Sequence, residues 1–146
     1  LSGGAGTGEI DADALEAANE ELANFADDFA ASAREMLVKL ERTLNRLVDT
    51  DDNIDEHFRT LSEGAHELRG QGGIFGFSLM TAFAKSLYEC TITVQPTTPM
   101  LLTIYKAHID GMKVVLREEI EGAGGNIGAA LLKSLKKAIA QHYAAK

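Results

Sequence analysis

Apolar residues recur at three- and four-residue steps along almost the whole chain from Asp11 onward, which is the spacing of amphipathic α-helices. The pattern breaks at 49–53, in the glycine-rich segment 70–76, at the prolines near 96–99 and in the loop 121–125. No segment shows the alternation of apolar and polar residues that is typical of a β-strand. T-I-T-V at 91–94 is β-prone but too short to predict one. The pattern predicts an all-α fold: an antiparallel four-helix bundle core with an additional N-terminal helical segment and a C-terminal helix.

The predicted core stripe of the first long helix consists of Phe25, Phe29, Met36, Leu40, Leu44 and Leu47. An acidic, alanine-rich stretch at 11–22 precedes it, either as a separate short helix or as its first turns. Ser78 and Thr98 are predicted helix caps, with Pro99 in the first turn of the helix that follows Thr98. Residues 1–8 are glycine-rich without periodicity and predict a flexible linker or a remnant of cloning, so that 9–146 forms a single domain.

Composition narrows the classes of function. The 146 residues carry a formal net charge of −8, and every charged side chain before Arg34 is acidic. Such a surface repels phosphates and anionic lipid, so we expect neither nucleic acid nor membrane as a partner. The single Cys90 excludes an internal disulfide, and no apolar run approaches the roughly 20 residues that span a bilayer. We expect a soluble, cytoplasmic monomer.

One histidine has an unusual setting. His66 directly follows Ala65, which belongs to the apolar stripe at 54, 58, 61, 65 and 68, so His66 is turned by about 100° away from that stripe. We expect the imidazole to be exposed on the same face as Arg59, Ser62, Arg69 and Gly70.

Two glycines lie close to His66 inside this helix. Gly64 and Gly70 each cost on the order of 1 kcal/mol relative to alanine, which suggests a requirement other than stability. Gly70, four residues after His66, leaves space for another molecule to reach the ring, and Arg69 offers a guanidinium that suits phosphate. The alternatives remain that Gly64 serves close helix packing and that Gly72, Gly73 and Gly76 simply end the helix.

The segment His66-Glu67-Leu68-Arg69-Gly70, followed by Gly72, Gly73 and Gly76-Phe77, resembles the signature of histidine-containing phosphotransfer (HPt) domains. That signature has the phosphoacceptor histidine, an apolar residue at +2, Lys or Arg at +3, Gly at +4 and a Gly near +10. L-M-T-A-F-A-K-S-L-Y-E at 79–89 resembles the family's next helix, which flanks the histidine. The resemblance covers about residues 24–120 and is strongest over 57–90.

The resemblance implies that His66 accepts a phosphoryl group from a receiver-domain aspartate, or within a histidine kinase pathway, and passes it to the aspartate of another response regulator. Arg69 would balance the phosphate charge and Gly70 would admit the partner. The chain would have no cofactor and no kinase activity of its own, because Mg²⁺ would sit on the receiver. Partners would be receiver domains of response regulators, a hybrid histidine kinase, or both, and the expected interface consists of Arg59, Ser62, Glu63, Glu67, Gln71, Gly73, Lys85 and Tyr88.

Two positions depart from the family pattern. Position +3 is Arg69 instead of the commoner lysine, which keeps the charge. Tyr88 stands at +22, where the family often has a glutamine that hydrogen-bonds the imidazole, and its hydroxyl could take that role. Lys85, one turn earlier, is either a second phosphate neighbour or a solvated lysine.

Two other interpretations stay open. H-E-L-R at 66–69 also resembles the phosphoacceptor box of dimeric histidine kinases, so the chain could be a fragment of a larger kinase, although no G-x-x-x-x-G-K is present. The second is a helical module that docks receivers without being phosphorylated. Glu63-x-x-His66 has the spacing of di-iron bundles, but those need two such copies and two more inward glutamates, so no metal site is predicted. His108 falls on an apolar stripe and is predicted to be a satisfied core histidine, and Cys90 a small core residue.

Overall fold

The computed structural model describes residues 3–50, 52–74, 77–121 and 126–144, with side chains described from Asp11 onward except at 119–121. Five helices make up the described ranges: α1 (Gly3–Asp49), α2 (Ile54–Ile74), α3 (Ser78–Thr91), α4 (Pro99–Glu121) and α5 (Asn126–Ala144). These ranges contain no strand, so the all-α prediction is confirmed. None of the described helices is both long enough and apolar enough to cross a membrane.

The first four helices contact one another in a closed ring, α1 with α2, α2 with α3, α3 with α4, and α4 with α1. Helix α5 packs outside this ring, against α4 and α3. Each of the four helices turns its apolar stripe inward, as its periodicity predicts. The most deeply buried large side chains of the resulting core are Leu37, Leu40, Phe58, Leu61, Leu68, Met80, Phe83, Leu87, Leu101, Tyr105, Ile109 and Met112.

Helix α1 is longer than the sequence predicts. The stretch at 11–22 forms its early turns instead of a separate helix, and residues 3–8 are helical where a flexible linker is predicted; residues 1 and 2 lie outside the described part. A helix that has already nucleated gains one hydrogen bond for each residue added, so it propagates through weak formers. The prediction that Phe25 lies in the core is wrong: its side chain is exposed, as are all described side chains from Asp11 to Phe25, so none of the described helices covers this part of α1.

The observed starts of the helices can be compared with the predicted caps. Thr98 caps α4, with its Oγ1 accepting a hydrogen bond from the Leu101 amide at 3.2 Å, as predicted. The Ser78 prediction is wrong, because α3 begins at Ser78 itself and the preceding Phe77 makes no side-chain cap. The start of α5 is capped from another helix: the Gly128 amide donates to the buried carboxylate of Glu118 on α4, at 2.9 Å.

Candidate functional site

His66 lies on α2 with its side chain exposed, while its neighbours Ala65 and Leu68 are buried in the core. This arrangement was predicted from the apolar stripe, and the structure confirms it. Because α2 continues for two further turns to Ile74, His66 stands on regular helix and not at a fraying end. The ring is therefore held by a rigid element and is accessible from outside.

Gly70 and Gly73 lie one and two turns after His66, on the same side of α2. A Cβ atom built at either position would meet nothing within 4 Å. Helical side chains lean toward the N-terminus, so a side chain at position 70 would cover the surface beside His66. Without it, the C-terminal side of the imidazole borders bare helix backbone. Close packing does not explain either glycine.

Gly64 and Gly72, on other faces of α2, behave differently. A Cβ on Gly64 would stand 2.6 Å from Leu40 Cδ2 and 3.0 Å from Met36 Sδ, and one on Gly72 would stand 2.9 Å from Thr81 Oγ1. Gly64 thus lets α1 approach α2, and Gly72 does the same for α3. Of the interpretations left open for Gly64, the structure supports close helix packing, which local helix propensity cannot distinguish from a need for access.

Charged and polar side chains surround His66 along α2. Arg69 is half-buried one turn after His66, on the opposite side of the ring from Glu67. Glu67 accepts a hydrogen bond from the Gln71 amide at 3.3 Å. The remaining predicted residues of this face are the exposed Arg59 and Glu63, and Ser62, which donates to the Arg59 carbonyl at 3.1 Å. The face of α2 around His66 thus carries both positive and negative side chains, and no side chain covers it at Gly70 and Gly73.

Helix α3 brings Tyr88 against His66. The two ring centroids are 5.5 Å apart with the ring planes inclined by 44°. Tyr88 is half-buried, so its ring limits how far the imidazole can tilt toward α3. Among the described contacts this ring contact is the one that joins the two residues; no hydrogen bond between them was found. The predicted role of the Tyr88 hydroxyl therefore stays a prediction.

Lys85 is exposed on α3, one turn before Tyr88. It lines a surface groove between α3 and α5 together with Ser86, Glu89 and Lys136. No described contact joins Lys85 to His66 or Arg69. Of the two interpretations of Lys85, the structure supports a surface lysine, while a role near phosphate stays a prediction.

His108 contrasts with His66. It is fully buried on α4, with Nδ1 2.7 Å from the Ile104 carbonyl oxygen and Nε2 2.8 Å from Ser86 Oγ. A carbonyl only accepts, so Nδ1 carries the proton and Nε2 accepts from the serine hydroxyl. Burial lowers the pKa of His108 to about 4, although the bond to Ile104 opposes this shift. The prediction of a satisfied core histidine is confirmed.

Cys90 is a buried core thiol, as predicted. Burial, followed by the charge of Glu89, raises its pKa to about 11. The thiolate that a nucleophile or a metal ligand needs is thus strongly disfavoured. Within the described ranges, no group of three His, Cys, Asp or Glu side chains is placed to hold a metal ion.

Ile74, at the end of α2, is not among the predicted residues of this surface. Its side chain is 79% exposed, one turn after Gly70 and next to Gly73. An isoleucine so exposed beside two bare glycines forms an apolar edge to the open patch next to His66. The signal was present in the sequence as an apolar residue outside the stripe at 54, 58, 61, 65 and 68.

Comparison of the chain with protein-family models, with curated proteins and with solved structures found no match. The site offers an accessible nitrogen nucleophile, a nearby guanidinium and an open approach over Gly70. Those elements suit transient covalent attachment of an anionic group that a second macromolecule delivers and removes.

Proposed function

We propose that this chain is a phosphorelay carrier, which accepts a phosphoryl group on His66 from a receiver-domain aspartate and passes it to the aspartate of another response regulator. It would act in the cytoplasm and without a kinase activity of its own. The proposal rests on the HPt-like segment 66–77 together with the exposure of His66 and the open surface beside it.

The transfer step requires little of the carrier beyond the correct position of the His66 imidazole. A ring nitrogen of His66 attacks the phosphorus of the aspartyl phosphate with its lone pair, an N–P bond forms, and the P–O bond to the aspartate breaks with its electron pair leaving on the carboxylate. The ring, now positively charged, returns to neutrality when its other N–H gives a proton to water. The second receiver reverses these steps. Mg²⁺ and a lysine on the receiver would stabilise most of the phosphoryl charge, and Arg69 would add one cation.

The observation that carries the proposal is the empty space at Gly70. Glycine inside a helix costs on the order of 1 kcal/mol relative to alanine, and at this position no packing contact offsets that cost. In-line transfer requires the aspartyl phosphate to come within about 3 Å of the imidazole nitrogen, so the approaching protein surface must come close to α2. A bare turn at Gly70 and Gly73, bordered by the apolar Ile74, supports such an approach.

The ring of contacts among α1, α2, α3 and α4 supports the finer fold proposal, in which these helices form an antiparallel four-helix bundle with α5 attached outside. In that arrangement one edge of α2 faces solvent along its length. His66 would then be presented near the middle of a rigid bundle, with Tyr88 of α3 limiting the ring on one side.

Incubation with a panel of phosphorylated receiver domains tests the proposal. We expect at least one receiver to label the protein with acid-labile, base-stable phosphate, and we expect His66→Gln to abolish the labelling. His57→Gln is a matched control, since His57 is also on α2 but half-buried beside α1. Labelling that survives in His66→Gln would refute the assignment of the site.

The same experiment separates the other interpretations. If the chain is a docking module, the wild type and the His66→Gln variant would bind receivers equally well, and neither would acquire phosphate. Labelling from ATP and Mg²⁺ alone, without any receiver, would instead favour the kinase fragment. The carrier proposal requires phosphate from a receiver and none from ATP alone.

A further inference from the structure

Tyr88 is held in a fixed place beside His66. It follows the buried Leu87 in the last turn of α3, and its carbonyl oxygen accepts a hydrogen bond from the Ile92 amide at 2.9 Å, which closes this helix. Its side chain is half-buried, and its ring centroid lies 5.5 Å from that of His66. An aromatic ring thus stands on a regular helix next to an imidazole that remains exposed.

The chemistry proposed for His66 places a positive charge on its ring. When a ring nitrogen bonds to phosphorus, the imidazole becomes an imidazolium until its other N–H gives a proton to water. Neither of the two described ion pairs involves His66, and no described hydrogen bond joins it to a carboxylate. The next residue, Glu67, accepts a hydrogen bond from Gln71, one turn further along α2. Among the described contacts of His66, the Tyr88 ring is the one available to stabilise this charge.

An aromatic ring attracts a cation because the face of its π-system carries partial negative charge. The attraction acts when the cation lies within about 6 Å of the ring centroid. The distance of 5.5 Å between the centroids of His66 and Tyr88 is inside this range. A neutral imidazole is attracted less than an imidazolium, so the interaction strengthens while the N–P bond forms. An interaction that strengthens in this way accelerates the transfer and does more than hold the ring.

We propose that Tyr88 is a positioning residue of the phosphotransfer site, and that its aromatic ring stabilises the positive charge that develops on the His66 imidazole. This inference rests on the proposed function of His66. It assigns the role to the ring of Tyr88 and not to the hydroxyl, for which the described residues show no hydrogen bond to His66.

A small phosphoryl donor tests this inference without any receiver. Phosphoramidate can transfer its phosphoryl group directly to an imidazole: a ring nitrogen bonds to phosphorus, the P–N bond of the donor breaks, and its electron pair leaves with ammonia. Mass spectrometry of peptides from the full chain measures the initial rate of labelling at His66. We expect the wild type and Tyr88→Phe to react at equal rates and Tyr88→Leu to react about two- to fivefold more slowly.

The two substitutions separate three roles of the side chain. Leucine has enough bulk to restrain the imidazole but has no π-system, and phenylalanine keeps the π-system without the hydroxyl. Equal rates for the wild type, Tyr88→Phe and Tyr88→Leu would show that the side chain only fills space, and a slow Tyr88→Phe would show that the hydroxyl acts. Either result would overturn the inference, and so would a wild type that phosphoramidate does not label at His66.

Tyr143→Leu is the matched control, because it makes the same change on α5, where the tyrosine ring contacts His142. It should leave the rate at His66 unchanged, and an equal slowing in this variant would also overturn the inference. Because Tyr88 is half-buried, the rates are measured well below the lowest melting temperature of the series. If Tyr88→Leu does not fold, Tyr88→Met takes its place, since an unbranched side chain adapts to irregular space.

Failure of this inference and failure of the proposed function give different results. If no receiver labels the wild type but Tyr88→Leu still slows the reaction with phosphoramidate, the relay assignment is wrong and the role of the Tyr88 ring holds. If receivers label the wild type and the Tyr88 variants all react with phosphoramidate at the wild-type rate, His66 carries phosphate without help from the Tyr88 ring.

Discussion

Two histidines of this chain, each followed by a glycine within one helical turn, have opposite surroundings. His108 and Gly111 lie inside the protein, where a Cβ on Gly111 would stand 2.7 Å from Cζ of the buried Phe83 ring. His66 and Gly70 lie on the surface, where a Cβ on Gly70 would touch nothing. A histidine followed by a glycine does not by itself tell the two pairs apart; the apolar stripe on which His108 lies, and from which His66 is turned away, does.

The two glycines therefore have different roles. At Gly111 the missing side chain makes room for another side chain of the same protein, so the core benefits. At Gly70 no group of the described structure takes up the room, and the helix bears the cost of glycine without a packing gain. Space that a protein leaves empty next to an exposed imidazole is available to another molecule. Four measurements test this difference between the buried pair and the exposed pair.

The largest effect concerns pH and the inner histidine. The pKa of His108 is about 4 in the folded protein against an ordinary value of 6.5, because burial disfavours the charged ring. The unfolded chain therefore takes up the proton first as the pH falls. Stability should be lost from about pH 6.5 downward and level off near pH 4, with a total on the order of 3 kcal/mol. Urea unfolding across this range measures the loss.

His108→Gln is the comparison for that pH series. The variant should be less stable than the wild type at pH 7, by about 1–3 kcal/mol, since the partners of the ring lose a well-fitted group. Its stability should then fall less steeply between pH 6.5 and 4. Equal slopes for variant and wild type would show that His108 does not carry the acid sensitivity.

The second effect compares the two glycines by the same substitution. Gly111→Ala forces a methyl group into the Phe83 ring and should lower the free energy of unfolding by about 2 kcal/mol. Gly70→Ala should raise it by roughly 0.5–1 kcal/mol, because alanine is the better helix former and meets open space. The melting temperatures of the two variants measure these changes. If both melting temperatures change in the same direction, Gly111 and Gly70 do not differ in the way described.

The third effect separates folding from transfer at the outer glycine. Gly70→Gln should keep the melting temperature level or raise it, while its side chain obstructs a protein approaching His66. We expect phosphoryl transfer from a cognate receiver to slow by five- to thirtyfold, corresponding to about 1–2 kcal/mol. A lower melting temperature with normal transfer would mean that Gly70 serves the helix and not the site.

The smallest effect is at Gly73. Its Cβ position is open as well, but it lies one residue before the end of α2, where helix propensity counts less. Gly73→Ala should raise the free energy of unfolding by only a few tenths of a kcal/mol. Chemical denaturation of this variant beside Gly70→Ala provides the measurement. A clear loss of stability would indicate a backbone requirement at the helix end that the open space does not reveal.

Much of the fold could be predicted because helical periodicity is a local property. The order of the helices, the break at the prolines and the cap at Thr98 all follow from neighbours within four residues in the chain. The exposure of His66 follows in the same way, since it is one residue removed from a buried stripe. Ser78 was mispredicted because a serine next to a helix start can equally stand in its first turn.

Local sequence is enough to predict which residues form helices and which face of each helix is apolar, because both depend on steps of three and four along one chain. The packing of whole helices is needed to know that Leu40 occupies the space beside Gly64 while the space beside Gly70 is open, that Tyr88 lies against His66, and that Phe25 is outside the core. Those facts depend on where two helices cross and where each one ends relative to its neighbour. Side chains far apart in sequence set that geometry jointly, so no single segment encodes it.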